Sequence, residues 1–549
     1  MGRPSAYSSL VSKGPTNNAG APTNIISWQD RLIRFLVLGA DGPTYYAEKT
    51  LHMKQGVAAV VQAFASGGKD AVALAVSLMV SGRLPKMETG IFVLAFAINS
   101  KIPEVRAAAI NAIPTACKIP THLFSLLTEI KAQGGKVQGR ALTRALGRWY
   151  TEKEPSALAY HLIKYRQRNG WKHGDVLRLA HPKGYTSGGE GKAGQLGDLF
   201  AWETGKPIVG QGAHLSMIIG YLSLLQEEAT ENDAIKLIRN LRFPREGIPD
   251  KLLKSAAVWR ALAVNSPMTA LFRTLNRMTA AEAFEGPAGR ETLSLVIRKL
   301  TDAQAIRGAK VHPINVLSAL RTYGSGRGVK GSLTWTPKVS INTALDQAFV
   351  ASFDAQPPMR LRIAIGVDIS GSMHGGEIAK IPGLTPAEAA WALAYQMVKT
   401  EAEATVWCFN RVIYQTTETV KSSPSYAALM KEVKQKYWDG GNTNCGALMS
   451  RALQDQRKVD VFVVITDNEH NHGEDPMAVL RRYREQMGIP NAKLVVIALT
   501  ATEYSIGSTE DAGVLNIAGF DPIAPTIIRS FCVGDSETGG VEEDRDGDE

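Results

Sequence analysis

The chain has 549 residues, 44% of them hydrophobic and 21% charged, with a formal net charge of +10. That length is too great for one hydrophobic core and predicts two or three globular domains. No apolar run approaches the ~18–20 residues of a membrane span, so no membrane association is expected.

Charge is segregated along the chain. Residues 1–359 hold 44 Lys and Arg against 25 Asp and Glu, whereas residues 360–549 hold 18 against 27. The excess is densest in residues 101–183, with 15 basic and 5 acidic side chains. A basic half joined to an acidic half predicts a polyanion partner for the first, and nucleic acid suits it better than a merely solvated face. The four cysteines, Cys117, Cys408, Cys445 and Cys532, show no C-x-x-C spacing. Neither zinc nor a disulfide framework is expected, and a reducing cytoplasm fits best.

Residues 1–27 are rich in Ser, Thr, Asn, Gly and Pro and lack the apolar core of a signal peptide. They read as a disordered arm. From 28 to 355 the pattern is helix after helix. Gly56–Ala65, Ala71–Val80, Ile91–Ala97 and Val105–Ala112 carry apolar residues at three-to-four spacing, punctuated by Gly67-Gly68, Pro85, Pro103 and Pro114. Short helical pairs with brief turns predict a HEAT-like α-solenoid, although no clean self-similar period appears.

Within this half Lys136, Arg140, Arg144 and Arg148 recur every four residues with no acid between them. On one helix they would form a single basic stripe, which phosphate would compensate. The bland alternative is pairing with acids of a neighbouring helix. The run Lys164-Tyr-Arg-Gln-Arg168-Asn-Gly-Trp171 follows. Asn169-Gly170 is expected to end a helix in a left-handed cap, and a second helix should close at His181 before Pro182. Cations beside Tyr165 and Trp171 suit RNA, where charges meet phosphates and rings meet bases. Trp171 itself reads better as a core anchor between helices, and His181 alone reads as a helix C-cap. Gly184–Gly197 reads as a flexible surface loop and is no P-loop. Arg321–Lys338, basic and Gly-rich, reads as a linker or a second phosphate-contacting loop.

From residue 360 the grammar changes. Strand-like runs at Arg362–Asp368, Ala404–Phe409, Val461–Thr466 and Lys493–Leu499 alternate with helical stretches at Pro386–Lys399, Tyr426–Lys436, Thr443–Leu453 and Pro476–Gln486. Such alternation predicts a doubly wound, Rossmann-like parallel sheet over 360–532, with ligands at the carboxyl ends of its strands. The first run ends in Asp368-Ile-Ser370-Gly-Ser372, a carboxylate and two hydroxyls within five residues. Gly440-Gly-Asn-Thr443 and Thr466-Asp467 add a further hydroxyl and carboxylate from two other loops. These are hard oxygen donors suited to Mg²⁺. Asp368, Ser370, Ser372, Thr443 and Asp467 resemble, position by position, the metal-ion-dependent adhesion site of von Willebrand factor A domains. An N-cap at Asp368 is the structural alternative. Residues 533–549 hold eight acids against Arg545 and read as a disordered acidic tail.

From about residue 28 to 531, apart from the Gly-rich loop after His181, the chain resembles the sixty-kilodalton Ro autoantigen family of TROVE-domain proteins. The likeness rests on Gly42-Pro-Thr-Tyr45-Tyr46, Ile119-Pro-Thr-His122-Leu-Phe, Gly139-Arg140-Ala-Leu, Lys164-Tyr-x-Gln-Arg168-Asn-Gly-Trp171, Val311-His312-Pro and Thr466-Asp-Asn-Glu469. The resemblance implies a helical-repeat ring closed by an A-domain. It implies binding of small structured noncoding RNA (Y RNA) on an outer basic surface and of single-stranded 3′ ends of misfolded RNA in the central hole. It also implies roles in RNA quality control and ribonucleoprotein assembly, with an RNA-processing nuclease tethered through RNA. Lys164, Arg168 and His181 fall at family RNA-contacting positions, and Arg140 and Arg144 lie in a neighbouring motif. Gly371 stands where the family has Ala. No DNA partner is expected. Nor is an enzyme, since no nucleophile–base set is evident. The alternative reading is a metal-dependent protein-binding scaffold whose A-domain captures an acidic partner.

Overall fold

The computed structural model describes residues 28–533 apart from 39–43, 47–48, 82–83, 85–86, 310, 329–331, 356–357, 379–380, 382, 439, 468–469, 500–505, 509–510 and 519–523. The expected N-terminal arm, and the expected tail beyond Val533, lie outside the described residues.

Helices follow one another from Trp28–Leu38 to Val339–Ala351. They stack in two rows. Lys49–Val80 packs on Pro103–Ala116, that helix on Arg140–Thr151, and that one on His173–Ala180, while Met87–Ile98 packs on Pro120–Ala132 in the second row. This is the solenoid arrangement. Prolines set several starts: Pro103, Pro120, Pro155 and Pro313 each open a helix, where the missing N–H is not needed and φ is already helical.

Gly67-Gly68 separates two helical segments as its spacing predicts: within Lys49–Val80, Gly68 leaves the helical region at φ 51° and ψ −129°, and the two segments join there at a kink. Against expectation, the Val60–Val80 part is long and apolar enough to cross a membrane by length and composition. It carries Lys69 and Asp70 beside the kink and packs against Trp28–Leu38 and Pro103–Ala116, as a core helix does. The Gly184–Gly197 segment is also more ordered than predicted. A helix starts at Gly191, and buried Asp198 clasps the preceding loop. Its carboxylate accepts from Ser187 Oγ (2.6 Å) and from the N–H groups of Gly188 (2.9 Å) and Gly210 (3.1 Å). Its second oxygen pairs with buried His214 Nε2 at 2.9 Å.

The described strands are β1 (Thr44–Tyr46), β2 (Gln167–Arg168), β3 (Trp171–Lys172), β4 (Ile363–Asp368), β5 (Ala404–Phe409), β6 (Ile413–Gln415), β7 (Val461–Thr466), β8 (Lys493–Ala498) and β9 (Val514–Ala518). β2 and β3 form a separate hairpin. The others make one sheet in the order β1-β9-β8-β7-β4-β5-β6, parallel except for the β5–β6 edge. Every residue of β4 and β7 is buried. That is why both read as unbroken apolar runs, as strands covered on both faces do.

The helical half meets this sheet at both of its ends. Near its start, β1 pairs in parallel with β9, Thr44 opposite Asn516 and Tyr46 opposite Ala518. At its end, Val339–Ala351 packs on Tyr426–Lys436. There Asp346 accepts from the N–H groups of Tyr426 (3.1 Å) and Ala427 (3.2 Å), satisfying donors at a helix N-terminus. Phe349 meets Tyr426 edge-on, and Phe353 meets Tyr395. Arg321 reaches buried Glu388 at 2.7 Å, and Lys434 holds the same carboxylate at 2.6 Å. The helical half is thereby closed into a ring by the α/β half.

Candidate nucleic-acid interface and metal-type loop cluster

The basic surface is built on three neighbouring pieces. The first is the helix Arg140–Thr151, which presents Arg140 and Arg144 to solvent. Lys136 is not on it. The helix begins only after Gly139, at φ 110°, so Lys136 sits on the preceding loop and the expected four-residue stripe shortens to three arginines. Arg148 is engaged as well: its Nε pairs with Glu152 at 3.0 Å and its Nη2 donates to Asn111 O at 3.2 Å.

The second piece is the β2–β3 hairpin. Asn169-Gly170 does not cap a helix. Both residues have positive φ, 51° and 79°, between paired Arg168 and Trp171. That is the two-residue turn whose twist matches a hairpin, and Asn-Gly is its favoured sequence. The turn is tied to the helix Pro120–Ala132 through Asn169 Nδ2 to Ser125 Oγ at 3.2 Å. It leaves Arg166, Arg168 and Lys172 exposed. Trp171 is half-buried, with Lys131 over its ring at 4.3 Å. Arg166 lies over Tyr221 at 4.7 Å and over Trp202 at 5.5 Å. Lys164 ends the Pro155–Lys164 helix, its Nζ donating to Tyr160 Oη at 3.2 Å. Burial works against its charge, but the Tyr160 hydroxyl and Tyr165 outweigh it, and its pKa stays above the ordinary lysine value.

The third piece is the end of His173–Ala180. His181 forms its left-handed C-cap at φ 42° and is exposed. Arg140–Thr151 packs on His173–Ala180, and a β-carbon at Gly147 would come within 4.0 Å of Pro182 and Ala180, so His181 and the arginine helix are neighbours. A buried aromatic layer supports all three pieces. Tyr150 Oη and His173 Nδ1 share a 3.0 Å hydrogen bond, and Phe124 meets the His173 ring edge-on. Burial pulls the His173 pKa down to about 3. Burial, with Lys153 and Lys164 nearby, takes His161 down to about 4. Both imidazoles are neutral at pH 7. Arg166 and Lys172, members of the basic run that starts at Lys164 though not among the expected site residues, join this surface, and Lys131 adds a cation whose only signal is the local charge excess.

Among the described residues of Arg321–Lys338 the three basic side chains are each engaged in an ion pair. Arg321 pairs with Glu388, Arg327 with Glu377 at 2.7 Å, and Lys338 with Glu285 at 2.8 Å.

In the α/β half the expected oxygen donors do converge at strand ends. Asp368 ends β4 and is fully buried, with Ser370, Thr443 and Asp467 also buried and Ser372 exposed. Asp368 Oδ1 accepts from Ser370 N at 2.8 Å, and Oδ2 from Thr466 Oγ1 at 2.6 Å. Ser370 Oγ and Ser372 Oγ are 3.3 Å apart. The Thr443 loop is fixed by backbone geometry. Gly440 (φ 70°) and Gly441 (φ 101°) take left-handed conformations that favour glycine. Asn410 Nδ2 donates to Gly440 O at 2.5 Å, Gly371 N to Gly441 O at 3.3 Å, and Thr443 N to Asn471 Oδ1 at 2.8 Å. Thr466, already part of the Thr466-Asp467 loop pattern, is thus a positioning residue, and Asn410 and Asn471 are two more that the sequence does not single out. Thr466 was detectable as a hydroxyl ending an otherwise apolar strand.

Burial pushes the Asp368 carboxyl up to about 7; its two hydrogen bonds pull the other way and the Asp467 charge adds to the rise. Two buried carboxylates with hydroxyls around them and no cationic side chain among the hydrogen-bond partners of Asp368 are a set that a hard divalent cation fits.

Fold and site together define a class: a helical-repeat ring closed by a von Willebrand factor A-type domain. Comparison with known proteins agrees. The TROVE domain model matches residues 15–200 and 235–322, and the Ro60 vWA domain model matches residues 362–532. "RNA-binding protein RO60" of Caenorhabditis elegans is 31% identical, the match covering 94% of this chain and 90% of that one. The protein of the same name from Deinococcus radiodurans is 33% identical over 94% and 95% of the two chains. The crystal structure of the Deinococcus radiodurans RO (RSR) protein superposes with a TM-score of 0.79 at 31% identity, covering 92% of this chain and all of that one. The chain belongs to the Ro60 family.

Proposed function

We propose that this chain binds RNA and grips a small structured noncoding RNA on the surface formed by Arg140, Arg144, Lys164, Arg168 and His181, with Lys136 and Arg148 at its edge. The observation that carries this reading is the hairpin surface. A twisted Asn-Gly turn holds Arg168 and Lys172 in solvent beside Lys164, with aromatic rings packed among the cations. Arg supplies paired donors for phosphate oxygens, and the rings accept bases. Both relatives named above carry an RNA-binding name and not an enzyme name, which supports the same reading.

The reading extends to unpaired 3′ ends of misfolded RNA entering the ring, to quality control, and to a processing nuclease tethered through the RNA. It places the chain in a reducing cytoplasm, consistent with four buried free cysteines. In the A-domain, Asp368, Ser370, Ser372, Thr443 and Asp467 would hold one Mg²⁺. When bound, the cation neutralises the buried carboxylates and offers an open position to a partner oxygen. That loop cluster favours a second role, capture of an acidic protein partner.

The test is crosslinking of RNA to the full chain, followed by sequencing of the RNA and mapping of the crosslinked peptides. The reading expects structured small RNA joined to peptides within 131–183. Crosslinks confined to 360–532, or no RNA at all, would overturn it.

A further inference from the structure

A groove of about 230 Å³ lies between the helices Met268–Ala280 and Pro313–Gly324. It is far along the chain from the basic hairpin. Its floor is buried Phe272, Leu275 and Tyr323. Arg273 stands on one wall, and Asn315, Ser318 and Thr322 line the other. Their spacing puts these three polar side chains on one face of their helix.

Three observations give the groove a ligand. The first is charge. No Asp or Glu occurs from Ala263 to Ala281 or from Ala303 to Leu345. Carboxylates from elsewhere pair with Arg321, Arg327 and Lys338. None pairs with Arg273, which makes no ion pair or hydrogen bond among the described residues. The second is open hydrogen-bonding capacity. The side chains of Asn315, Ser318 and Thr322 make no hydrogen bond among the described residues. By contrast, Thr274, Thr279 and Thr292 turn their hydroxyls back onto the carbonyl four residues earlier. The third is size. The groove is smaller than the ~300–1,000 Å³ of sites that enclose a whole small molecule, so it suits one unit of a polymer.

We propose that this groove holds a single nucleotide of an unpaired RNA strand. Arg273 takes the phosphate as paired donors. The Asn315 amide, which both donates and accepts, meets the edge of the base. Ser318 and Thr322 reach the ribose hydroxyls, and the apolar floor takes the face of the base. This inference rests on the RNA-binding reading above, whose unpaired-strand part it assigns to named residues on a surface other than the basic hairpin.

The experiment uses the full chain and two probes, a fluorescent oligouridylate and a structured hairpin RNA. Arg273→Gln combined with Asn315→Ala should weaken oligouridylate binding about tenfold and leave the hairpin RNA within about twofold. Arg273→Lys should recover part of the loss, because the charge returns without the fork. An oligouridylate carrying 4-thiouridine should crosslink to the peptide holding Phe272 or Tyr323. Unchanged oligouridylate affinity in the double variant overturns the groove, as does a crosslink mapping only elsewhere. Competition by uridine monophosphate as strong as by the strand also overturns it, since the site would then be one for free nucleotides. A wild-type chain that binds the hairpin but not the oligouridylate removes the groove alone; one that binds neither removes the RNA reading with it.

Discussion

The hairpin surface and the A-domain loop cluster are built by opposite means. On the hairpin, cations are held out into solvent by a two-residue turn, and few of them touch a carboxylate. In the loop cluster, two carboxylates are buried at strand ends, and the surrounding loops supply hydroxyls and N–H groups. The first arrangement is stable as it stands and gains from a polyanion. The second carries a cost of burial, visible in the raised Asp368 pKa, and gains from a cation. The two sites should therefore respond to different ions.

The largest expected effect is salt. If the hairpin surface contacts about six phosphates, RNA affinity should fall about a thousandfold between ~50 and ~200 mM salt. A filter-binding series at constant Mg²⁺ checks this. A flat series would mean that the cations are only a solvated face.

The next effect concerns the junction between the two halves. Glu388 is 3% exposed and receives both Arg321 and Lys434. Glu388→Gln removes the charge that pairs them and should cost roughly 3–5 kcal/mol. The readout is the urea unfolding midpoint. A shift of less than about 0.5 kcal/mol, the usual range of a surface change, would show that the junction does not depend on this carboxylate.

A smaller effect is expected at the aromatic layer under the hairpin. His173 has a folded pKa of about 3 against an ordinary 6.5. The unfolded chain thus binds the proton first as pH falls. Stability is full above about 6.5 and declines below it by up to ~1.4 kcal/mol per pH unit until the folded pKa is reached. His173→Gln should flatten the fall in melting temperature between pH 6.5 and 5. An unchanged slope would remove His173 as the cause.

Mg²⁺ separates the two sites in the other direction. At fixed ionic strength it should stabilise the wild-type chain by RT ln(1 + [Mg²⁺]/Kd), ~2.7 kcal/mol at a hundredfold excess over Kd, and so give a rise in its melting temperature. Asp368→Ala should abolish that rise. An equal rise in both proteins would place the ion elsewhere.

Much of this architecture is legible in the sequence, for identifiable reasons. β4, β5, β7 and β8 lie within a residue of where their apolar runs predict, because strands covered on both faces must be apolar throughout. The Asp368, Thr443 and Asp467 loops are legible because each carries its own glycine or hydroxyl pattern beside a strand. β1 is not: three residues near the start of the chain pair with a strand some 470 residues later, and no local pattern records that. Lys136 was misplaced because its spacing fits the stripe while Gly139 stops the helix short of it. The hairpin was hidden for a similar reason. Asn169-Gly170 suits both a helix cap and a hairpin turn, and two-residue strands leave no alternation to decide between them.

The most direct test compares one structured RNA on two variants. Lys164→Ala with Arg168→Ala removes two cations from the hairpin surface; Asp368→Ala disables the loop cluster. Folding is checked by circular dichroism and affinity by filter-binding at moderate salt. The account predicts at least a tenfold loss in the first, about 1.4 kcal/mol, and affinity within about threefold of wild type in the second. Equal losses in both would make the loop cluster part of the RNA grip, and no loss in the first would contradict the account outright.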